Sequence, residues 1–182
     1  MFQKKALGAL ALLIAVSALV WMGGPVPAKA KPGDQAVDPR QPLTRHIAVL
    51  KGTGEEISFP VLTLSHEIIS PRDSASGLPT GKRQHKPFTI TKVLDKASPG
   101  LMEALVKGEP FNVVEVTTFL RTGGSYVPFV TVRLDNAFVA TIGPQSADDR
   151  PTEEVAFYYN RISFSYAETG TTVEDSWSGE YP

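Results

Sequence analysis

The chain has 182 residues, with 18 Lys and Arg against 19 Asp and Glu, a formal charge of −1 and no cysteine. The missing cysteine excludes a disulfide framework, a zinc–thiolate centre, a cysteine nucleophile and a lipid-acylated N-terminus, so the fold must hold by packing and sheet hydrogen bonds. The near-neutral charge argues against nucleic acid and anionic membrane as partners.

Residues 1–30 read as a secretory signal peptide. Lys4-Lys5 form a charged start, Ala6 to Met22 is an unbroken run of apolar and small residues, Gly23-Gly24-Pro25 breaks a helix, and Ala28-Lys29-Ala30 has the form of a cleavage site. The run falls short of the roughly 20 apolar residues of a membrane span, so cleavage is the expected fate and a retained N-terminal anchor the alternative. Cleavage after Ala30 removes 30 of 182 residues and three of 18 basic groups, leaving 152 residues with 15 basic and 19 acidic groups, a charge of −4. Residues 31–43 are rich in proline and polar groups and read as a flexible linker. Residues 44–182 form one domain, large enough to bury a single core.

Within that domain Arg45 to Leu50 predicts a short strand, with Ile47 and Val49 alternating against His46 and Ala48. Lys51 to Gly54 is a turn, and Ile57 to Ile69 a second extended stretch whose Pro60 places its start at a sheet edge. Ser70 to His85 has almost no apolar residues and ends in cations, which predicts a projecting loop.

The stretch from Gly81 to Glu109 organises the rest. Lys86 to Leu94 alternates as a half-buried strand, with Phe88, Ile90 and Leu94 on one face. Ser98-Pro99 opens a helix over about 98–107, the serine as cap and the proline pre-bent for the first turn. Leu101, Met102, Leu105 and Val106 are its apolar stripe, and Gly108 supplies a left-handed stop.

Everything after the helix reads as β-structure. Phe111 to Leu120 and Tyr126 to Leu134 form a hairpin about Gly123-Gly124. Asp135-Asn136 is a tight turn or bulge into Ala137 to Ile142. Glu153 to Tyr166 is the last long strand, with a bulge near Asn160 where its alternation changes phase. Ala167 to Pro182 is a polar tail. The fold class is therefore mainly β: an antiparallel β-barrel or two-sheet sandwich of about seven strands, with one short α-helix covering an opening.

No motif announces catalysis. Gly77 to Lys82 fails as a phosphate loop, because three residues rather than four separate the glycines, Arg83 follows the lysine, and a strand rather than a helix comes next. His46, His66 and His85 stand on separate elements, and Ser70 occupies the place of the second histidine of an H-E-x-x-H motif. There is no G-x-S-x-G elbow. No catalytic residue, metal ligand or cofactor is assigned. Lys82, Arg83, His85 and Lys86, with Arg72 and Asp73 earlier in the same loop, make a candidate assembly loop for another protein's acidic surface. Asp148-Asp149 is a candidate acidic contact for it.

The segments G-K-R-Q-H-K-P-F-T-I-T-K and D-K-A-S-P-G-L-M-E-A-L resemble the haemolysin-coregulated protein (Hcp) family, the tube protein of type VI secretion. Val130 to Ala137, Glu153 to Ile162 and Glu174 to Trp177 resemble later segments of that family in the same order, so the resemblance covers roughly Arg45 to Trp177. It implies a non-enzymatic barrel with one helix that assembles into homo-hexameric rings, which stack into a tube able to carry a small protein cargo. It also implies loading from the cytoplasm without a secretory leader, and residues 1–30 depart from that pattern. The expected product is exported, secreted or envelope-associated, and free of the membrane once the leader is removed. The alternative from another class is a monomeric secreted β-domain binding a protein or glycan.

Overall fold

The computed structural model describes residues 42–52, 54–145 and 150–177. The signal-peptide reading, most of the linker and the Asp148-Asp149 pair lie outside the described residues.

Strand β1 (Thr44–Lys51) is followed by β2 (Ile57–Val61), and Leu62 alone separates β2 from β3 (Thr63–Ser65). The two-residue strands β4 (Ile68–Ile69) and β5 (Gln84–His85) pair as the stem of the long loop, and β6 (Phe88–Val93) leads into helix α1 (Ser98–Lys107). Next come β7 (Phe111–Thr122) and β8 (Ser125–Gln145), joined at Gly123 and Gly124, whose φ angles of 57° and 87° favour residues without a Cβ. The described chain finishes with β9 (Thr152–Tyr158), β10 (Arg161–Tyr166) and β11 (Thr171–Ser176).

Neighbouring strands run in the order β2-β1-β7-β8-β9-β6-β3, with every pairing antiparallel. The two ends of this path are consecutive in sequence. Leu62 donates its N–H to the Thr91 carbonyl of β6 at 2.8 Å, so one run of chain leaves β1 and joins β6, closing the sheet into a barrel. Inward-facing side chains of alternate residues fill it, among them Leu50, Phe59, Val114, Leu134, Phe157 and Ile90. As Pro60 predicts, among the described residues β2 pairs on one side only, with β1.

Helix α1 has the predicted bounds and lies against β8, while its Gly100 approaches β2 so closely that a Cβ there would meet Ile57 Cδ1 at 3.3 Å. Two strands intervene between β8 and β2, so the helix crosses one end of the barrel. Gly108, at φ 67°, ends it: the N–H groups of Gly108 and Glu109 donate to the carbonyls of Leu105 and Ala104. The packed stripe is narrower than the sequence suggests. Leu101 is fully buried and Ala104 and Leu105 pack behind it, whereas Met102 and Val106 are exposed at 44% and 77%. Nor does Ser98 cap the helix. The cap position is Ala97, without a side-chain hydrogen bond, and the Ser98 hydroxyl is used elsewhere.

Four other expectations change. The stretch from Ile57 to Ile69 breaks into three strands, because it switches partners at Leu62 and again enters the loop stem. Residues 125–145 form one strand rather than two, with the left-handed Asn136 (φ 51°) at the point where β8 exchanges β10 for β9 as its neighbour. The stretch from Glu153 to Tyr166 is interrupted at Tyr159-Asn160, which resolves its change of phase as a bend between two strands. Finally, the polar tail contains β11, which pairs with β10 from Thr171 to Ser176, so among the described residues there are eleven strands rather than about seven.

Candidate functional site

The strand pair β6–β9 carries a polar joint at each end. At the helix end Lys92 stands directly opposite Glu153 in the ladder, both side chains essentially buried, with Nζ 2.8 Å from Oε1. The ammonium's three protons are shared among Glu153 and three further oxygens, Asp95 Oδ1 at 2.8 Å, the Val93 carbonyl at 2.9 Å and Ser98 Oγ at 3.2 Å, and it lies 4.9 Å from the centre of the Phe59 ring. Ser98 Oγ donates in turn to Glu153 and accepts the Asp95 N–H. Asp95 Oδ1 accepts the Ala97 N–H, which fixes the turn that starts α1. A buried cation is tolerable only when paired and fully hydrogen-bonded, and this one is.

At the opposite end, beyond Phe88 and Phe157, a Tyr159 hydroxyl sits between two imidazoles. It lies 2.6 Å from His66 Nε2 and 2.8 Å from His85 Nδ1. Trp177 stacks on His85 with ring centres 5.5 Å apart. Arg83 donates to both oxygens of Asp175 at 2.6 and 2.7 Å, and the other His85 nitrogen, Nε2, lies 3.4 Å from Asp175 Oδ2 without forming a hydrogen bond. The Arg83 hydrogen bond holds the Asp175 carboxyl below its usual range, against the opposing effect of burial. Burial, aided by the Asp175 charge, pushes the Tyr159 hydroxyl well above the ordinary phenol range, so it stays a neutral donor and acceptor. Burial first, and the neighbouring His85 second, lower the pKa of His66.

This second joint fastens the long loop. Every residue from Arg72 to Lys82 is exposed, and the loop orders itself as a tapered hairpin. Arg72 bridges to Pro79 and donates from Nη1 to the Gly77 carbonyl at 3.0 Å. Asp73 Oδ1 accepts the N–H groups of Ala75 and Ser76 and the Ser76 hydroxyl, which together lower its pKa.

The six candidate assembly residues therefore divide. Lys82 and Lys86 are exposed at the stem, and Arg72 and Asp73 shape the loop tip. Arg83 and His85 turn inward onto Asp175 and Tyr159 of the same chain. Sequence reasoning missed Lys92, Glu153, Tyr159 and Asp175. A signal for the first two was present: Lys92 follows Phe88 and Ile90 at strand spacing, and Glu153 precedes Val155 and Phe157 in the same way.

Residues 51–166 match the family model described as type VI secretion system effector, Hcp. The chain belongs to the Hcp family. Hcp proteins are secreted structural components rather than enzymes. The chain is 38% identical over 133 residues to the Major exported protein of Pseudomonas aeruginosa, covering 68% of this chain and 77% of that one. It is 25% identical over 100 residues to Protein hcp1 of the same organism, covering 50% of this chain and 62% of that one. Among solved structures it is similar to a crystal structure of an Hcp protein, with a TM-score of 0.69 at 26% identity, over 73% of this chain and 99% of that one. It is likewise similar to the secreted protein Hcp3 from Pseudomonas aeruginosa, with a TM-score of 0.62 at 28% identity, over 74% and 98% of the two chains. The Hcp match ends at Tyr166, the last residue of β10, so Asp175 and Trp177 lie beyond it.

Proposed function

We propose that this Hcp-family chain is an exported structural subunit that associates with copies of itself into homo-hexameric rings, and that the rings stack into a tube. The self-braced loop carries this reading. It is an exposed hairpin held at its base by a bidentate Arg83–Asp175 pair, which suits an element that must reach a neighbouring ring without collapsing. Ring closure needs two different faces on each subunit, and β11, which among the described residues pairs only with β10, offers an open edge as one of them. Lys82 and Lys86 at the stem supply cations for an acidic contact, with Asp148-Asp149 as the candidate counterpart. The space enclosed by a ring is the place for a small protein cargo. The leader-like residues 1–30 would route the chain through general export before assembly.

Light scattering after size exclusion, with electron microscopy of the same sample, tests this. A hexamer mass with ring images is expected. A strict monomer would favour the monomeric secreted β-domain binding a protein or glycan. Deleting Gly77 to Gly81 should leave the subunit folded and shorten the tubes, and unchanged tube length would remove the loop from stacking.

A further inference from the structure

Tyr159 has one hydroxyl proton and two lone pairs to share between two imidazole nitrogens. With both rings neutral the account closes. One histidine donates to the oxygen, and the hydroxyl donates to the bare nitrogen of the other. If His85 Nδ1 is the acceptor, the His85 proton sits on Nε2, facing Asp175. A proton on both rings makes both nitrogens donors. The tyrosine proton then has no acceptor, and two cations lie across one oxygen.

We infer that this joint is an acid-opened latch: with His66 and His85 uncharged, Tyr159 ties the base of the projecting loop to the bend between β9 and β10, and protonation of both rings frees the loop base from that bend and loosens the end of the C-terminal segment at Trp177, while β11 keeps its ladder to β10. The groups facing the two histidines leave little to absorb a second charge. His66 meets the Tyr159 hydroxyl, the Phe88 ring and His85. His85 meets Tyr159 from the bend, and Asp175 and Trp177 from the C-terminal segment. Asp175, bidentate with Arg83, still has lone pairs and faces His85 Nε2, so it can absorb a charge on that ring; His66 meets no carboxylate, and a second charge there leaves the tyrosine proton without an acceptor. Glu67 and Lys86, beside the stem, are exposed. Once the joint is lost, the stem still has the pairs Ile68–His85 and Ile69–Gln84, the bond from the Lys86 N–H to the Glu67 carbonyl and, further out, the bond from the Thr80 N–H to the Pro71 carbonyl. Opening is therefore local and leaves the barrel closed. The latch belongs to the single subunit and does not depend on ring formation.

Amide hydrogen exchange of the full-length chain at pH 7.5 and 5.5, corrected for the intrinsic effect of pH, reads the latch directly. The reporters are the Lys86 N–H, which bridges the stem, and the Trp177 N–H, which donates to the Asn160 carbonyl. Their protection should fall severalfold at the lower pH, while the β7–β8 ladder keeps its protection. In the double variant His66→Gln, His85→Asn, amide groups that do not titrate replace the imidazoles, one able to present its nitrogen and the other its oxygen to the hydroxyl, and the pH dependence should vanish. His66→Gln alone, at the half-buried ring, should shrink the fall if the double variant does not fold. Unchanged protection of both reporters in the natural chain, or an undiminished fall in His66→Gln, would overturn the latch.

Discussion

The two ends of the β6–β9 pair solve one problem with different chemistry. Each fastens a segment that leaves the barrel: α1 at one end, the long loop at the other. The helix joint is an ion pair, Lys92 with Glu153, closed over by Ser98 and Asp95, and it contains no histidine. The loop joint centres on a hydroxyl shared by two histidines, with its one ion pair at the more open margin. The helix stays with the core through Leu101 as well. The loop has no apolar anchor of that kind between Arg72 and Lys82, so its attachment depends on polar groups whose proton count can change.

Substitutions at the two ends should separate these roles. The largest effect is expected for Lys92→Met, which leaves Glu153 charged and buried without its partner; urea unfolding should show a loss of about 3–5 kcal/mol. Adding Glu153→Leu should recover most of that loss, because two apolar residues replace a pair rather than strand one member. A double variant no more stable than the single one would show that the charges do more than compensate each other. Tyr159→Phe should cost less, about 1–3 kcal/mol, since it deprives two histidines of a shared partner while keeping the ring. A cost equal to that of Lys92→Met would erase the distinction between the ends.

The smallest effect concerns pH. Burial lowers the pKa of both His66 and His46. Below the ordinary histidine value of about 6.5 the unfolded chain then binds more protons than the folded one, so their stabilisation is complete above that pH and declines as pH falls through it. The urea midpoint should drop between pH 7.5 and 5.5 in the natural chain. It should drop equally in Lys92→Met and less in His66→Gln.

Much of the fold was legible because its signals are local. The proline at the start of α1, the glycine at its end and the glycine pair between β7 and β8 each set the backbone where they stand. What escaped was set by distant partners. Strand β11 is polar apart from Val173, and four of its six residues are exposed; it is held by its ladder to β10, not by burial. Spacing puts Lys92 on the inward face of its strand, but a lysine there has no evident partner until Glu153, 61 positions later, comes opposite it. Arg83 and His85 look like part of a cationic surface for the same reason: Asp175 lies about ninety residues away. The outward half of that cluster, Lys82 and Lys86, is exposed, as its charge suggests.

The plugged interior of the barrel limits where anything can travel. Leu50, Phe59, Val114, Leu134, Ile90 and Phe157 fill the barrel, and α1 stoppers one mouth. A single copy is therefore a brick and not a pipe. Any conduit this protein builds must be the hollow left between bricks, with walls made of the outward-facing residues of its strands and its bore set by how many copies close the circle.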